Sequence, residues 1–187
     1  MAQGWTGGGM SVFTVCVAGA ESTGKSWLAG KLATHFGIVV VPEYAREYCA
    51  VHGNDLTLEQ LHHIAEQQDA AIRGAMADDE ATKSSVVIAD TDAIVTSVWA
   101  QFSLGENPAS FGDGFVEADL VLVMENDLPW EDDGVRCQSS QTARDRFRRL
   151  LTAELDRRHM PWVGIAGAGE RRLANALEAI EACRAAR

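Results

Sequence analysis

Gly19-Ala-Glu-Ser-Thr-Gly-Lys-Ser26 decides the reading of this chain, because it fits the pattern G-x-x-x-x-G-K-[ST]. Glycines at these positions permit positive φ and let the backbone approach a ligand closely. Successive N–H groups then point into one concavity, and a helix that follows adds its positive dipole end. Lys25 is expected to reach the β- and γ-phosphates of a nucleotide, and Ser26 to offer its hydroxyl to Mg²⁺. The flanks support this. Residues 12–18 (VFTVCVA) form a β-branched apolar run ending in glycine, which reads as a buried strand. Residues 25–36 read as a helix with Leu28, Leu32 and Phe36 on one side. Gly19, Glu21, Ser22, Thr23, Gly24, Lys25, Ser26 and Trp27 are therefore the expected ATP-binding residues.

Outward from the loop, short apolar runs alternate with helical patterns. Strands are expected at 38–41, 85–89, 119–124 and 162–166, and helices at 56–76, 92–102, 141–158 and 170–186. Asp55 or Thr57 is placed to cap the helix from 56. Residues 104–117 read as loop with one helical turn. Strands apolar on both faces and separated by helices imply an α/β fold, with five parallel strands covered on both sides. Ligands of such sheets sit at the carboxyl ends of the strands. Glu43, Asp90, Asn126 and Asp127 all follow strands there.

Each polar candidate has a functional and a structural reading. Asp90 ends a strand beside the loop, where an acid holds Mg²⁺. Asp92 either joins it at the acceptor or caps the next helix. Glu43 is placed as base or orienter for an acceptor hydroxyl, or else pairs with Arg46 on the surface. Tyr44, Trp130 and Asp133 are candidate acceptor contacts, with Trp130 alternatively packing inside. Arg136 and one or two of Arg144, Arg146, Arg148 and Arg149 are candidates to close over phosphates, within a lid at about 126–149. The alternative is a solvated helix face paired with Asp145, Glu154 and Asp156. His62 and His63 lack companions at metal-ligand spacing and read as structural.

The 187 residues suit a single domain over 11–187, after a flexible leader at 1–10 without signal-peptide character. Apolar residues make up 47% and the net charge is −11, so no nucleic-acid partner is expected. No apolar stretch is long enough for a membrane helix. Four well-separated cysteines give no metal or redox signature and point to a reducing, cytoplasmic setting. The oligomeric state is not readable.

GAESTGKS (19–26), EYAREY (43–48), IADTD (88–92), ENDLPWEDDGVR (125–136) and RFRRLL (146–151) occur in an order that resembles the ribosylnicotinamide kinase domain of NadR-type proteins and the wider NadR-like P-loop ATPases. The resemblance runs from about residue 12 to residue 184. It implies a nucleotide-kinase-like P-loop NTPase sheet with a lid. It further implies ATP- and Mg²⁺-dependent phosphorylation of the 5′-hydroxyl of nicotinamide riboside. Glu43 or Asp90 would then face hydroxyl and metal, and Arg136 would belong to the lid. Two departures stand out. The nucleotidyltransferase and DNA-binding regions of NadR-type proteins do not fit within this length, so adenylyl transfer and repression are not expected. Pro42 stands where the best-known members carry an aromatic residue, which makes the acceptor pocket different. A kinase for another nucleoside, and an ATP-binding regulatory module with slow hydrolysis, remain the competing readings. A dinucleotide oxidoreductase is disfavoured because no G-x-G-x-x-G follows the first strand.

Overall fold

A computed structural model describes residues 12–78, 85–131 and 140–187. Four parallel strands, β1 (Phe13–Ala18), β2 (Val86–Asp90), β3 (Leu120–Met124) and β4 (Trp162–Ile165), pair in the order β2-β1-β3-β4. Among the described residues six helices accompany them: α1 (Lys25–Phe36), α2 (Tyr44–His52), α3 (Leu58–Ala77), α4 (Ala93–Leu104), α5 (Gln141–Arg157) and α6 (Gly169–Ala185). A 3₁₀ turn at Pro108–Phe111 supplies the helical turn expected in the 104–117 loop.

The twofold side-chain alternation of the strands divides the core. Phe13, Val15 and Val17 of β1 join Leu28 and Leu32 of α1 and Ile180 of α6 on one face. Cys16 and Ala18 join Val98 of α4 and Phe147 and Leu151 of α5 on the other. Each fully buried Leu or Ile contributes about 1.5–3 kcal/mol, so truncating a central one such as Leu122 costs about 2–5 kcal/mol.

One expectation needs correction. The run at 38–41 is not a fifth strand. The Ile38 N–H is bonded to Ala33 O at the end of α1, 3.0 Å away, and Val39 is 81% exposed. Pro42 has no N–H to extend pairing. Only Val41 bridges to β2, donating to Ile88 O at 2.9 Å and accepting from Asp90 N at 2.8 Å. The helix expected at 141–158 is α5, whose first half, within the expected lid region, packs inward through Phe147. Residues 44–52, which carry the EYAREY stretch after Glu43, form the helix α2. The expected leader lies outside the described residues, as do Asp133 and Arg136.

β1 lies between β2 and β3, so the loops leaving the carboxyl ends of these strands meet at the start of α1. There the site is built.

Candidate active site

The 19–26 loop is shaped by its sequence. Gly19 has φ 152°, and a Cβ placed on it would lie 3.0 Å from the Cβ of Met124. Only glycine lets the loop pass β3 so closely. Gly24 (φ 79°) starts α1 in the left-handed region, and no side chain caps that helix. Its first-turn N–H groups are thus the kind of donors that receive an anion. Thr23, fully buried, ties the loop on itself by donating to Ala20 O at 2.8 Å. Lys25 Nζ donates to the same carbonyl at 3.1 Å, so the ammonium rests inside the loop's concavity.

Two tethers hold the loop from outside. The Ser22 hydroxyl (φ 57°) donates to Glu131 O at 3.1 Å and accepts from Glu131 N at 3.0 Å. The guanidinium of Arg172, from the first turns of α6, bonds both Thr23 O and Asp127 Oδ1 while being only 1% exposed. Asp127 Oδ2 in turn accepts from Gly167 N at 2.6 Å. Sequence reasoning missed Arg172. Nothing in a helical pattern distinguishes an arginine turned inward from one on the surface.

Beyond the loop lies a cavity of about 330 Å³. Glu21 through Trp27 form one wall, and Glu43, Arg46 and Cys49 face it from the start of α2. Leu61 and Ile64 of α3 and Trp99 of α4 give it an apolar side. Glu43 stands at the N-cap position of α2, yet its carboxylate makes no cap bond. It belongs instead to the cavity's charge set. Burial pushes the Glu43 carboxyl up from the usual glutamate range. The nearby charges divide, with Lys25 and Arg46 opposing the rise and Asp90 and Glu21 adding to it.

Asp90, 4% exposed at the end of β2, has an Oδ1 with no hydrogen-bond partner. A buried carboxylate oxygen left without a donor is the kind of group a bound cation satisfies. Asp92 takes the structural option. Its Oδ1 accepts from Val95 N at 2.8 Å and caps α4. It lies against Cys16 rather than on the cavity wall, and burial raises its carboxyl. Between them Thr91 sits at φ 70°, rare for a β-branched residue.

Several other expected residues lie off the cavity wall. Tyr44 turns to His63, its hydroxyl 3.3 Å from Nε2, and His62 stacks on Phe111 with ring centroids 4.1 Å apart, so both histidines are structural. Asn126 donates to Asp145 Oδ1 at 2.9 Å. Trp130 is half-buried beside the Ser22 tether, its indole N–H without a partner. The described arginines of α5 do not line the cavity. Arg144 donates to Leu128 O at 3.0 Å, Arg146 lies over the Phe102 ring, Arg148 pairs with Glu125, and Arg149 is exposed. Conversely, Thr96, Trp99 and Ser103 of α4 line the cavity unanticipated. Their spacing places them on one face of α4, but Ser97 and Gln101 are polar as well, so polarity within the helix did not single them out.

A family model described as an AAA domain matches residues 14–172. The trifunctional NAD biosynthesis/regulator protein NadR of Escherichia coli (strain K12) is 32% identical over 166 residues, 82% of this chain and 38% of the relative. The NadR of Salmonella typhimurium (strain LT2) matches with the same identity and coverage. The chain thus spans under two fifths of the length of these curated relatives. A crystal structure of NadR protein in complex with NR superposes with a TM-score of 0.73 at 25% identity, over 91% of this chain and 51% of that one. Thymidylate kinase from Ehrlichia chaffeensis shares the fold, with a TM-score of 0.62 at 12% identity over 90% of this chain and 98% of that one.

Proposed function

Because this chain belongs to the AAA domain family of P-loop proteins, we propose that it is an ATP-dependent kinase transferring a phosphoryl group to the 5′-hydroxyl of nicotinamide riboside, yielding nicotinamide mononucleotide. The observation that carries this reading is the single cavity in which the Lys25 loop and the Glu43 carboxylate face each other across an apolar wall. A nucleotide-hydrolysing switch needs the loop but not a second, partly apolar compartment opposite it. The likeness to the NadR structure in complex with NR supports nicotinamide riboside as the acceptor.

In this reading the N–H groups of 19–26 and the Lys25 ammonium hold the β- and γ-phosphates, with Glu21 to Trp27 forming the nucleotide side. Glu43 orients the acceptor hydroxyl and takes its proton; burial makes it a stronger base than an exposed glutamate. Arg46 faces the ribose side of the cavity, and Trp99, Leu61 and Ile64 cover the ring and exclude water. The partnerless Asp90 Oδ1 and the Ser26 hydroxyl fit Mg²⁺ arriving with the nucleotide. That ion would neutralise charge on the transferring phosphoryl group. Arg136 and Asp133 complete the proposed set as lid and acceptor contacts. The setting is proposed to be cytoplasmic, and among the described residues no helix is long and apolar enough to cross a membrane.

The test is product identity. Incubation with ATP, Mg²⁺ and nicotinamide riboside should give one new monophosphate, with phosphorus coupled to the 5′-methylene protons by NMR. No new monophosphate, or one on another hydroxyl, would reject the reaction.

A further inference from the structure

Gln68 of α3 is only 2% exposed, an unusual place for a glutamine, and its amide makes three backbone bonds. Its Oε1 accepts from Tyr44 N at 2.8 Å. Its Nε2 donates to Pro42 O at 3.2 Å and to Thr91 O at 3.3 Å. Both donors of the amide are used, along with one acceptor site. The bonded groups bracket two functional residues. Pro42 and Tyr44 flank Glu43, and Thr91 follows Asp90.

The surroundings make this bracket decisive for the position of Glu43. Upstream, Val41 is tied to β2 by its two backbone bonds. Downstream, α2 has no buried residue to anchor it. Between them the Glu43 backbone is extended (φ −71°, ψ 106°), and its carboxylate has no cap bond to hold it. Thr91, at φ 70°, holds a backbone conformation that a β-branched residue rarely adopts and that persists only where its surroundings fix it. Val17 O accepts from its N–H at 3.1 Å, and Gln68 supplies the other partner.

We infer that Gln68 is a positioning residue that fixes Glu43 in register with Asp90, by joining the backbone on both sides of Glu43 to the carbonyl that follows Asp90. The inference rests on the role proposed above for Glu43. It gives the fold a reason for a buried glutamine that the sheet and its core do not require.

The test compares Gln68→Met, which keeps the length without the bonds, and Gln68→Glu, which keeps the acceptor for Tyr44 N–H. Each is made alone and combined with Glu43→Gln. Acceptor-dependent turnover in Gln68→Met should fall roughly 10- to 100-fold, the scale of an ångström-sized misplacement, with KM for ATP changed less than about twofold. Gln68→Glu should recover part of the loss. The double variant Gln68→Met/Glu43→Gln should be no slower than Glu43→Gln alone, because one residue acts through the other. Multiplicative losses in the double variant, or equal loss of ATP affinity, would overturn the inference while leaving the kinase reading intact. If no acceptor stimulates turnover, the kinase reading fails. Amide hydrogen exchange then decides Gln68 separately. Loss of protection at Tyr44 in Gln68→Met, with β1 unchanged, supports the bracket, and unchanged protection at Tyr44 refutes it.

Discussion

Glu43, half-buried on the cavity wall, and Glu154, buried in the fold, are both glutamates for which desolvation is the largest influence on the carboxyl. At Glu154, in α5, Arg157 donates at 2.7 and 2.8 Å and Arg158 at 2.7 Å. These bonds outweigh burial and hold the carboxyl below the usual glutamate range. At Glu43 burial prevails, because Lys25 and Arg46 oppose it while Asp90 and Glu21 reinforce it. The same side chain is thus saturated with donors in one region and held above its usual range in the other. The arginines of α5 belong to the saturated region. Their number suggests phosphate binding, but Arg144, Arg148, Arg157 and Arg158 are engaged by carbonyls and carboxylates of the fold itself.

The contrast can be broken from either side. Lys25→Ala should have the largest effect, lowering turnover by at least about 100-fold with an unchanged melting temperature; steady-state ADP release and thermal unfolding measure the two. Glu43→Gln should lower turnover by about 100-fold or more without loss of stability at pH 7. The sign follows from burial. A carboxyl raised in the folded state favours the protonated form, so its ionisation costs stability at neutral pH, and that cost disappears as pH falls through its raised value. In the wild type the acid limb of the kcat/KM profile should accordingly lie above the ordinary glutamate value of about 4.3.

Glu154→Gln should show the reverse pattern. Turnover should hold, while stability drops by about 1–3 kcal/mol in a denaturant titration. The wild-type contribution is fully present above the ordinary glutamate value and is lost as pH falls through the lowered folded value. The variant should therefore show a flatter acid-side decline in stability. Arg149→Ala, at an exposed position, should be the mildest change, within about 0.5 kcal/mol in stability and with turnover near wild type.

Most of this architecture was legible because local rules act consistently. The bounds expected for α1 agree with Lys25–Phe36, and Thr57, one of two candidate caps for α3, makes a full capping box with Gln60. The run at 38–41 misled because strand propensity competes with chain geometry. A segment that still completes the end of α1 and runs into a proline cannot pair along its length. In the site, the loop was legible from its glycines and lysine. Glu43 was placed by its position after an apolar run. Arg172 and Gln68 were hidden because each acts through backbone atoms distant in sequence, Thr23 for one and Pro42 and Thr91 for the other. A pattern of side-chain types carries no trace of such bonds. Asp92 showed the opposite ambiguity, since a helix cap and a ligand carboxylate call for the same residue at the same place.

The central claim is that the cavity joins a nucleotide site to a nucleoside acceptor site. ADP release with ATP and Mg²⁺, measured with nicotinamide riboside and with a panel of ordinary nucleosides, tests it most directly. The account predicts strong stimulation by nicotinamide riboside above every other nucleoside, abolished in Lys25→Ala. ADP release that no nucleoside accelerates would contradict it.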